Sequence, residues 1–436
     1  MLNREDNDFL CRVEPGTPMN AAFKRYWLVA GLSRDFPEPN SDPKRSTMLG
    51  EDYVLFRDSE GRIGCLRELC CHRGASLCLG RTEKGGIRCV FHGWKFDVDG
   101  TIIDMPNATD DRFMKRYRQP AFPVVEKAGL IFVYLGPREE QPPFAHWRWL
   151  DFAPEQLFVA PVVYNANFIQ AIDGGADSSH LTTLHQDALT RQHPVTDNSV
   201  FQRIMADAAP RFDTYPTEFG QFSAAFRTVT RPDGTIYETC KTSVFAAPST
   251  VITNGAYPDQ GTFAFFTPID SHRTIGYLGN YDSAWTTPEQ PIEARRFMSL
   301  DSETLDRLGF SPETCDSPQR ASRENNWYQD REAMRSGRFT GMAPFIPEDI
   351  IVAESMGSIY DRSQENLIPA DQVVVRIRRI LMDMAHDVQE GRKPIGNRTP
   401  IDYSKIFVGE GAVETGQNWA DITLPPEFVR REPVEA

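Results

Sequence analysis

Residues 70–94 read CCHRGASLCLGRTEKGGIRCVFHGW. The stretch holds two short Cys/His pairs, Cys70-x-His72 and Cys89-x2-His92, with sixteen residues between His72 and Cys89. A structural zinc ion takes four ligands, commonly from C-x2-C and H-x3-H groups. Here each loop brings one thiolate and one imidazole, a mixture that suits a two-iron, two-sulfide cluster. Cys70 and Cys89 would hold one iron, and His72 and His92 the other. Neutral imidazoles in place of thiolates lower the cluster's negative charge, so its potential rises toward roughly −150 mV or above. Such a centre is poised to accept an electron from a flavin or a ferredoxin. Gly74 and Gly93 allow tight turns beside the metals, and Trp94 would shield one side. Cys71 and Cys78 stand outside the ligand positions and, with Cys11, Cys65, Cys240 and Cys315, read as packing residues. The plain alternative is a zinc hairpin or an ordinary thiol-containing β-domain.

Outward from this stretch the pattern is β from about 45 to 137. Apolar runs such as DYVLFRD and LIFVYLG are divided by turn signals at Ser59-Glu60-Gly61 and Asp99-Gly100. Before it, residues 17–30 read as a short capped helix. After it, the Pro-rich, charged stretch 136–147 marks a boundary. Residues 165–189 read as mainly helical, and strand-like runs follow, with Asp233-Gly234 as a hairpin turn. Helices return at 291–307 and 347–357, and 370–390 is a long amphipathic helix. The expected divisions are an N-terminal helical segment 1–44, a β-domain 45–137, a larger domain 138–391 and a tail 392–436.

The 436 residues are 40% hydrophobic and 25% charged, with a formal net charge of −14. That charge argues against nucleic acid or an anionic membrane as the main partner. No run of eighteen apolar residues appears, and the acidic N-terminus lacks an apolar signal core, so the expectation is a cytoplasmic protein.

A second constellation lies at Asp177-x2-His180-x4-His185. On an ideal helix Asp177 and His180 would stand about 60° apart, on one face, but His180 and His185 about 140° apart. An undistorted helix cannot aim both histidines at one metal, so the helix must bulge or stop between them. Alone, the spacing favours two hydrogen-bonded histidines on a helix surface. An iron–sulfur domain upstream changes its meaning, because two histidines and one carboxylate on Fe(II) leave positions open for oxygen and substrate.

The motifs CCHRG and CVFHGWKF resemble those of Rieske domains. The positions that carry a second cysteine pair in respiratory Rieske proteins are Ala75 and Phe91 here, which matches the oxygenase branch. With NFIQAIDGGADSSH, NNWYQDREAM and ESMGSIYDRS, the chain resembles Rieske non-heme iron oxygenase large subunits over nearly its whole length, closest to the phthalate-dioxygenase-type group. The resemblance implies an α+β fold: an all-β Rieske [2Fe-2S] domain plus a catalytic domain with a helix-flanked antiparallel sheet. It implies His180 and His185 on a mononuclear Fe(II), and Asp177 as a bridge toward a cluster histidine of a neighbouring subunit. It places the third ligand at Asp349, with Glu348, Glu354 and Asp330 as rivals. Asn167 is read as structural; Phe168 stands where a Trp often follows it. The strands between about 199 and 285 would line the pocket. They carry Arg203, Arg211, Arg227, Arg231 and Lys241, of which Lys241 is the candidate for holding a substrate carboxylate. His146, His193, His272 and His386 lack ligand partners at useful spacing.

The implied activity is hydroxylation of an aromatic, carboxylated substrate by O2. Electrons would come from an NAD(P)H-dependent reductase, with or without a ferredoxin. The alternatives are O-demethylation of a methoxylated aromatic acid, or a Rieske electron-transfer protein with no second iron. Relatives of this kind form trimers or stacked trimers.

Overall fold

The computed structural model describes residues 2–110, 112–191, 200–230, 233–255, 257–413 and 419. The chain divides into two compact units. One comprises residues 12–144 with 267–270; the other comprises residues 1–11, 145–266 and 271–436.

The first unit is built from short antiparallel strands, as its short apolar runs dictate. One four-stranded sheet orders Lys44–Met48, Glu51–Arg57, Ile63–Arg67 and Ala121–Phe122. A second orders Arg81–Glu83, Gly86–Arg88, Lys95–Phe96 and Ile102–Asp104. Val54, Phe56, Leu66, Leu77, Ile87 and Phe96 form a core that also buries Cys70, Cys89 and Trp94. The turn at Ser59-Glu60-Gly61 is closed by the buried Asp58 carboxylate, which accepts the N–H groups of Glu60 and Arg62 at 2.9 Å each. A three-stranded sheet adds Trp27–Leu32, Leu130–Tyr134 and Val124–Lys127. The stretch 17–30 is therefore helix only over Pro18–Phe23, capped by Thr17; its apolar end, WLVAGL, is strand.

The second unit centres on an eight-stranded antiparallel sheet. Its strands run in the order Leu157–Tyr164, Thr274–Asp282, Gln260–Pro268, Thr250–Thr253, Ile236–Ala246, Gly220–Thr230 and Arg211–Pro216, and Glu410–Val413 pairs with Ile236–Ala246. The longest ladder joins Gly220–Thr230 to Ile236–Ala246 across the turn that contains Asp233 and Gly234, with Thr230 opposite Ile236. Three helices, Phe168–Ala176, Ile346–Ser355 and Gln372–Gln389, pack together and against this sheet. The last buries Val373, Ile377, Leu381, Met384 and Ala385, the three-to-four-residue spacing of one apolar face.

Asn167 fixes the start of the Phe168–Ala176 helix. Its side-chain oxygen accepts the Ile169 N–H at 3.1 Å, and its amide donates to the carbonyls of Cys11 (2.9 Å) and Ser271 (2.8 Å). The side chain is fully buried, so the structural reading of Asn167 holds. Histidines outside the ligand sets have ordinary partners: His146 Nε2 lies 2.7 Å from Asp151, His272 Nδ1 3.0 Å from Ser358, and His386 stacks on Phe9. His193, Arg231 and most of the tail after 413 lie outside the described residues.

One reading needs correction. Cys11, Cys65 and Cys240 are buried, but Cys78 and Cys315 are only half-buried and Cys71 is exposed. The Cys71 N–H is held by Gln119 Oε1 at 2.7 Å while its side chain faces solvent, so it is no packing residue.

Replacing Asn167 by Ala removes the helix cap and leaves two buried carbonyls without their donor. The expected loss is about 2–3 kcal/mol of unfolding free energy, read by chemical denaturation.

Candidate functional site

The two Cys/His loops have the same backbone closure. Cys70 N–H donates to the Ala75 carbonyl at 2.9 Å and Gly74 N–H to the Cys70 carbonyl at 2.8 Å. Cys89 N–H donates to the Trp94 carbonyl at 2.8 Å and Gly93 N–H to the Cys89 carbonyl at 3.1 Å. Gly74 (φ +75°) and Gly93 (φ +79°) take the left-handed conformation that this closure requires. Both cysteines are buried, and the two imidazoles meet edge to face with centroids 4.5 Å apart. Trp94 stacks flat on His72 at 4.3 Å and covers one side of the pair.

These residues fit a binuclear cluster. The His92 Nδ1 is buried with no hydrogen-bond partner, an arrangement that a metal bond would explain. Burial, together with the Cys89 sulfur, pushes the Cys70 thiol up to about 12, so two thiolates need cationic metal between them. Among the described residues the four do not converge: the one group of three or more Cys, His, Asp or Glu ligand atoms all within 4.8 Å of each other lies elsewhere. One tetrahedral zinc ion would draw all four together.

That convergent group is His180, His185 and Asp349. The Phe168–Ala176 helix stops at Asp177, after Gly174 and Gly175. The cause is local. Asp177 Oδ1 accepts the Ser179 N–H at 2.8 Å and Oδ2 accepts the His180 N–H at 3.2 Å, competing with helical bonding. A separate short helix, Leu181–Leu184, then runs between the two histidines. The single face expected for Asp177 and His180 on one continuous helix is thus replaced by a turn. The turn brings the imidazoles to 5.1 Å, nearly perpendicular.

Each ring is oriented by a carboxylate on Nδ1. Asp177 Oδ2 lies 3.1 Å from His180 Nδ1, and Glu348 Oε2 lies 2.8 Å from His185 Nδ1. The Nε2 atoms then face Asp349 Oδ1, at 3.6 Å from His180 and 3.3 Å from His185. Burial alone would raise the Asp177 carboxyl, but its bonds to His180 and Ser179 prevail and hold it down at about 2. The rivals for the third position are engaged elsewhere. Glu348 sits on the far nitrogen of His185, Glu354 forms a buried pair with Arg320 at 2.5 Å, and Asp330 caps the Arg331–Arg335 helix.

Two groups absent from the sequence reading hold the halves of this site together. Gln170 donates to the carbonyls of Ala353 and Gly357, 2.8 Å each, and accepts the Tyr360 N–H. Phe345 occupies φ +64°, a conformation that costs a non-glycine residue about 1–3 kcal/mol. Its ring lies parallel to His185 at 4.6 Å. Neither residue has a sequence signal: the partners of Gln170 lie far away in sequence, and Phe345 is marked by its backbone angle.

A cavity of about 80 Å³ opens beside the triad. Phe263, Phe266 and Leu278 supply apolar wall, and Lys241 enters from the Ile236–Ala246 strand. Lys241 is buried and, among the described residues, its Nζ makes no hydrogen bond or ion pair. Burial and then Arg227 push its ammonium down to about 8; Glu410 and Asp177 oppose that shift. The other described basic residues named for the pocket have partners. Arg203 pairs with Glu410, Arg211 lies over Phe226, and the buried Arg227 donates to the Ser178 carbonyl at 2.6 Å.

Comparison with known proteins follows this division. A model described as Rieske [2Fe-2S] domain matches residues 26–123, and one described as LigXa C-terminal domain like matches residues 133–433. The chain belongs to the large subunits of Rieske non-heme iron oxygenases. Among curated relatives of this family, the phthalate 4,5-dioxygenase oxygenase subunit of Pseudomonas putida is 32% identical over 97% of this chain and 94% of its own. The 3-chlorobenzoate-3,4-dioxygenase oxygenase subunit of Comamonas testosteroni is 31% identical over 88% of both. Among solved structures, the terminal oxygenase of carbazole 1,9a-dioxygenase from Nocardioides aromaticivorans IC177 superposes with a TM-score of 0.58. It is 17% identical and covers 85% of this chain and 98% of its own, so it speaks for the fold. As a Rieske oxygenase the protein is an oxidoreductase with a [2Fe-2S] cluster and a mononuclear iron. Among the described residues no helix is long and apolar enough to cross a membrane.

Substituting His180 or His185 by Ala is expected to leave the cluster's visible absorption intact. Iron content should fall from about three to about two per chain, measured by metal analysis of the purified variants.

Proposed function

We propose that this oxygenase hydroxylates an aromatic substrate that carries an anionic group, most simply a carboxylate. The observation that carries the reading is Lys241, a buried ammonium whose Nζ makes no hydrogen bond or ion pair among the described residues, placed in the apolar cavity that adjoins His180, His185 and Asp349. Burying a cation without a partner is costly, and an anionic ligand would remove that cost. The aromatic wall would take the ring.

In this reading Cys70, His72, Cys89 and His92 hold the cluster, and His180, His185 and Asp349 hold the ferrous ion. When bound, the cluster supplies electrons and the ferrous ion activates O2. Asp177 keeps His180 Nδ1 protonated and its Nε2 free. Its side chain stays one-quarter exposed, open to a further hydrogen bond from an imidazole of a neighbouring subunit. The working enzyme is therefore taken to be an oligomer of this chain, a trimer or stacked trimers. It would be reduced by an NAD(P)H-dependent reductase, directly or through a ferredoxin. The apolar walls exclude bulk water from the reacting carbon, and Lys241 fixes which carbon faces the metal. Ring hydroxylation and O-demethylation use the same side chains, so product identification decides between them. The test is oxygen uptake with a matched reductase against benzoates, phthalates, methoxylated aromatic acids and their uncharged amides. Turnover of the amides at the rate of the acids would overturn the anionic reading.

Lys241→Met should raise KM for the acids about 10- to 100-fold, the loss of a charge-assisted bond. In the parent enzyme the ammonium is protonated below pH about 8 and neutral above it, so KM for the acids should climb on the alkaline side of pH 8. The variant should lack that limb. Asp177→Asn should retain both iron centres yet slow single-turnover oxidation of the reduced cluster strongly, as followed by stopped-flow absorbance.

A further inference from the structure

Glu348 is fully buried, and three donors converge on its carboxylate. Oε2 accepts from His185 Nδ1 at 2.8 Å and from the Phe345 N–H at 3.0 Å, while Oε1 accepts from the Thr340 hydroxyl at 2.6 Å. No basic side chain pairs with it among the described residues. Phe345 reaches it only by taking φ +64°, and the same residue lays its ring flat over His185. His185 itself is only 1% exposed. The imidazole is thus fixed on one edge by Glu348 and on one face by Phe345, with Nε2 presented to Asp349 Oδ1 at 3.3 Å.

We propose that Glu348 is a positioning residue for the mononuclear iron: an anion that never touches the metal but sets the tautomer, the aim and the donor strength of His185. The inference rests on the assignment of His180, His185 and Asp349 to that iron. Glu348 and Asp349 are adjacent in sequence and serve different ends of one arrangement. Asp349 meets the ion directly. Glu348 acts through the imidazole, where its negative charge strengthens the nitrogen that faces the ion and balances the second positive charge of Fe(II) in a buried site. Thr340 and the Phe345 N–H hold the carboxylate so that it accepts from His185 in a fixed direction. The strain at Phe345 is kept because it serves both contacts.

The test uses full-length protein with its cluster intact and its mononuclear iron removed by a chelator. Fe(II) affinity is then measured by chelator competition, alongside the EPR signal of the nitric oxide adduct of the reloaded site. Glu348→Gln keeps the shape and one acceptor oxygen but removes the charge. Its Fe(II) affinity should fall about 10- to 100-fold, and the rhombicity of the nitrosyl signal should change. Glu348→Asp keeps the charge but withdraws it by one methylene; its affinity should lie between the two. If Glu348→Gln does not fold, the Asp variant alone carries the test. Affinity and nitrosyl signal equal to the parent, in either folded variant, would overturn the proposal. So would a lowered melting temperature of the iron-depleted protein with unchanged affinity, which is what packing alone would give. His185→Ala is the control. If it binds Fe(II) as tightly as the parent, the iron assignment fails; if only the Glu348 variants do, Glu348 alone loses its role.

Discussion

Two consecutive carboxylates at the head of one helix take opposite nitrogens of a single imidazole. Residues one apart on a helix diverge by about 100°, so Glu348 and Asp349 cannot point the same way. His185 fits between them, with Nδ1 on Glu348 at 2.8 Å and Nε2 facing Asp349 at 3.3 Å. The distances within the group His180, His185 and Asp349 depend on this clasp. It holds only if the Ile346–Ser355 helix keeps its place against Phe168–Ala176, and that duty falls on buried polar groups. Gln170 ties the two helices, Arg320 and Glu354 pair behind them, and Asn167 anchors the start of the first. A hydrophobic interface alone would let the helices slide; directional bonds between buried partners fix their register.

The iron–sulfur loops meet the same demand by different means. There the ligands are near in sequence, so backbone closure suffices: each Cys carbonyl receives a Gly N–H, and each Cys N–H reaches a carbonyl five residues on. The two loops therefore present matching cysteines from matching turns, and the histidines follow two or three residues later.

What could be read from the sequence tracks the range of the interactions. The cluster loops were legible because their spacing is local. The break between Asp177 and His185 was legible as a necessity, since a regular helix would splay the histidines. Its form, an Asx-type turn made by Asp177 itself, was not. Asp349 was named through family resemblance; nothing in its sequence neighbourhood separates it from Glu348, and the fold sets one carboxylate on each side of His185. Gln170 and Phe345 were invisible because their partners lie far away in sequence or because the signal is a strained backbone angle. Cys71 was misread because apolar character predicts burial poorly in a tight loop closed by its own backbone hydrogen bonds.

The central claim is that one chain holds a paired iron centre in the loops at 70–72 and 89–92 and a single iron at His180, His185 and Asp349. The most direct measurement is diffraction from the iron-loaded protein on both sides of the iron absorption edge. The account predicts a pair of anomalous peaks between Cys70, Cys89, His72 and His92, and one more within bonding distance of His180 Nε2, His185 Nε2 and Asp349. A single peak among the four loop residues, or none at Asp349, would contradict it.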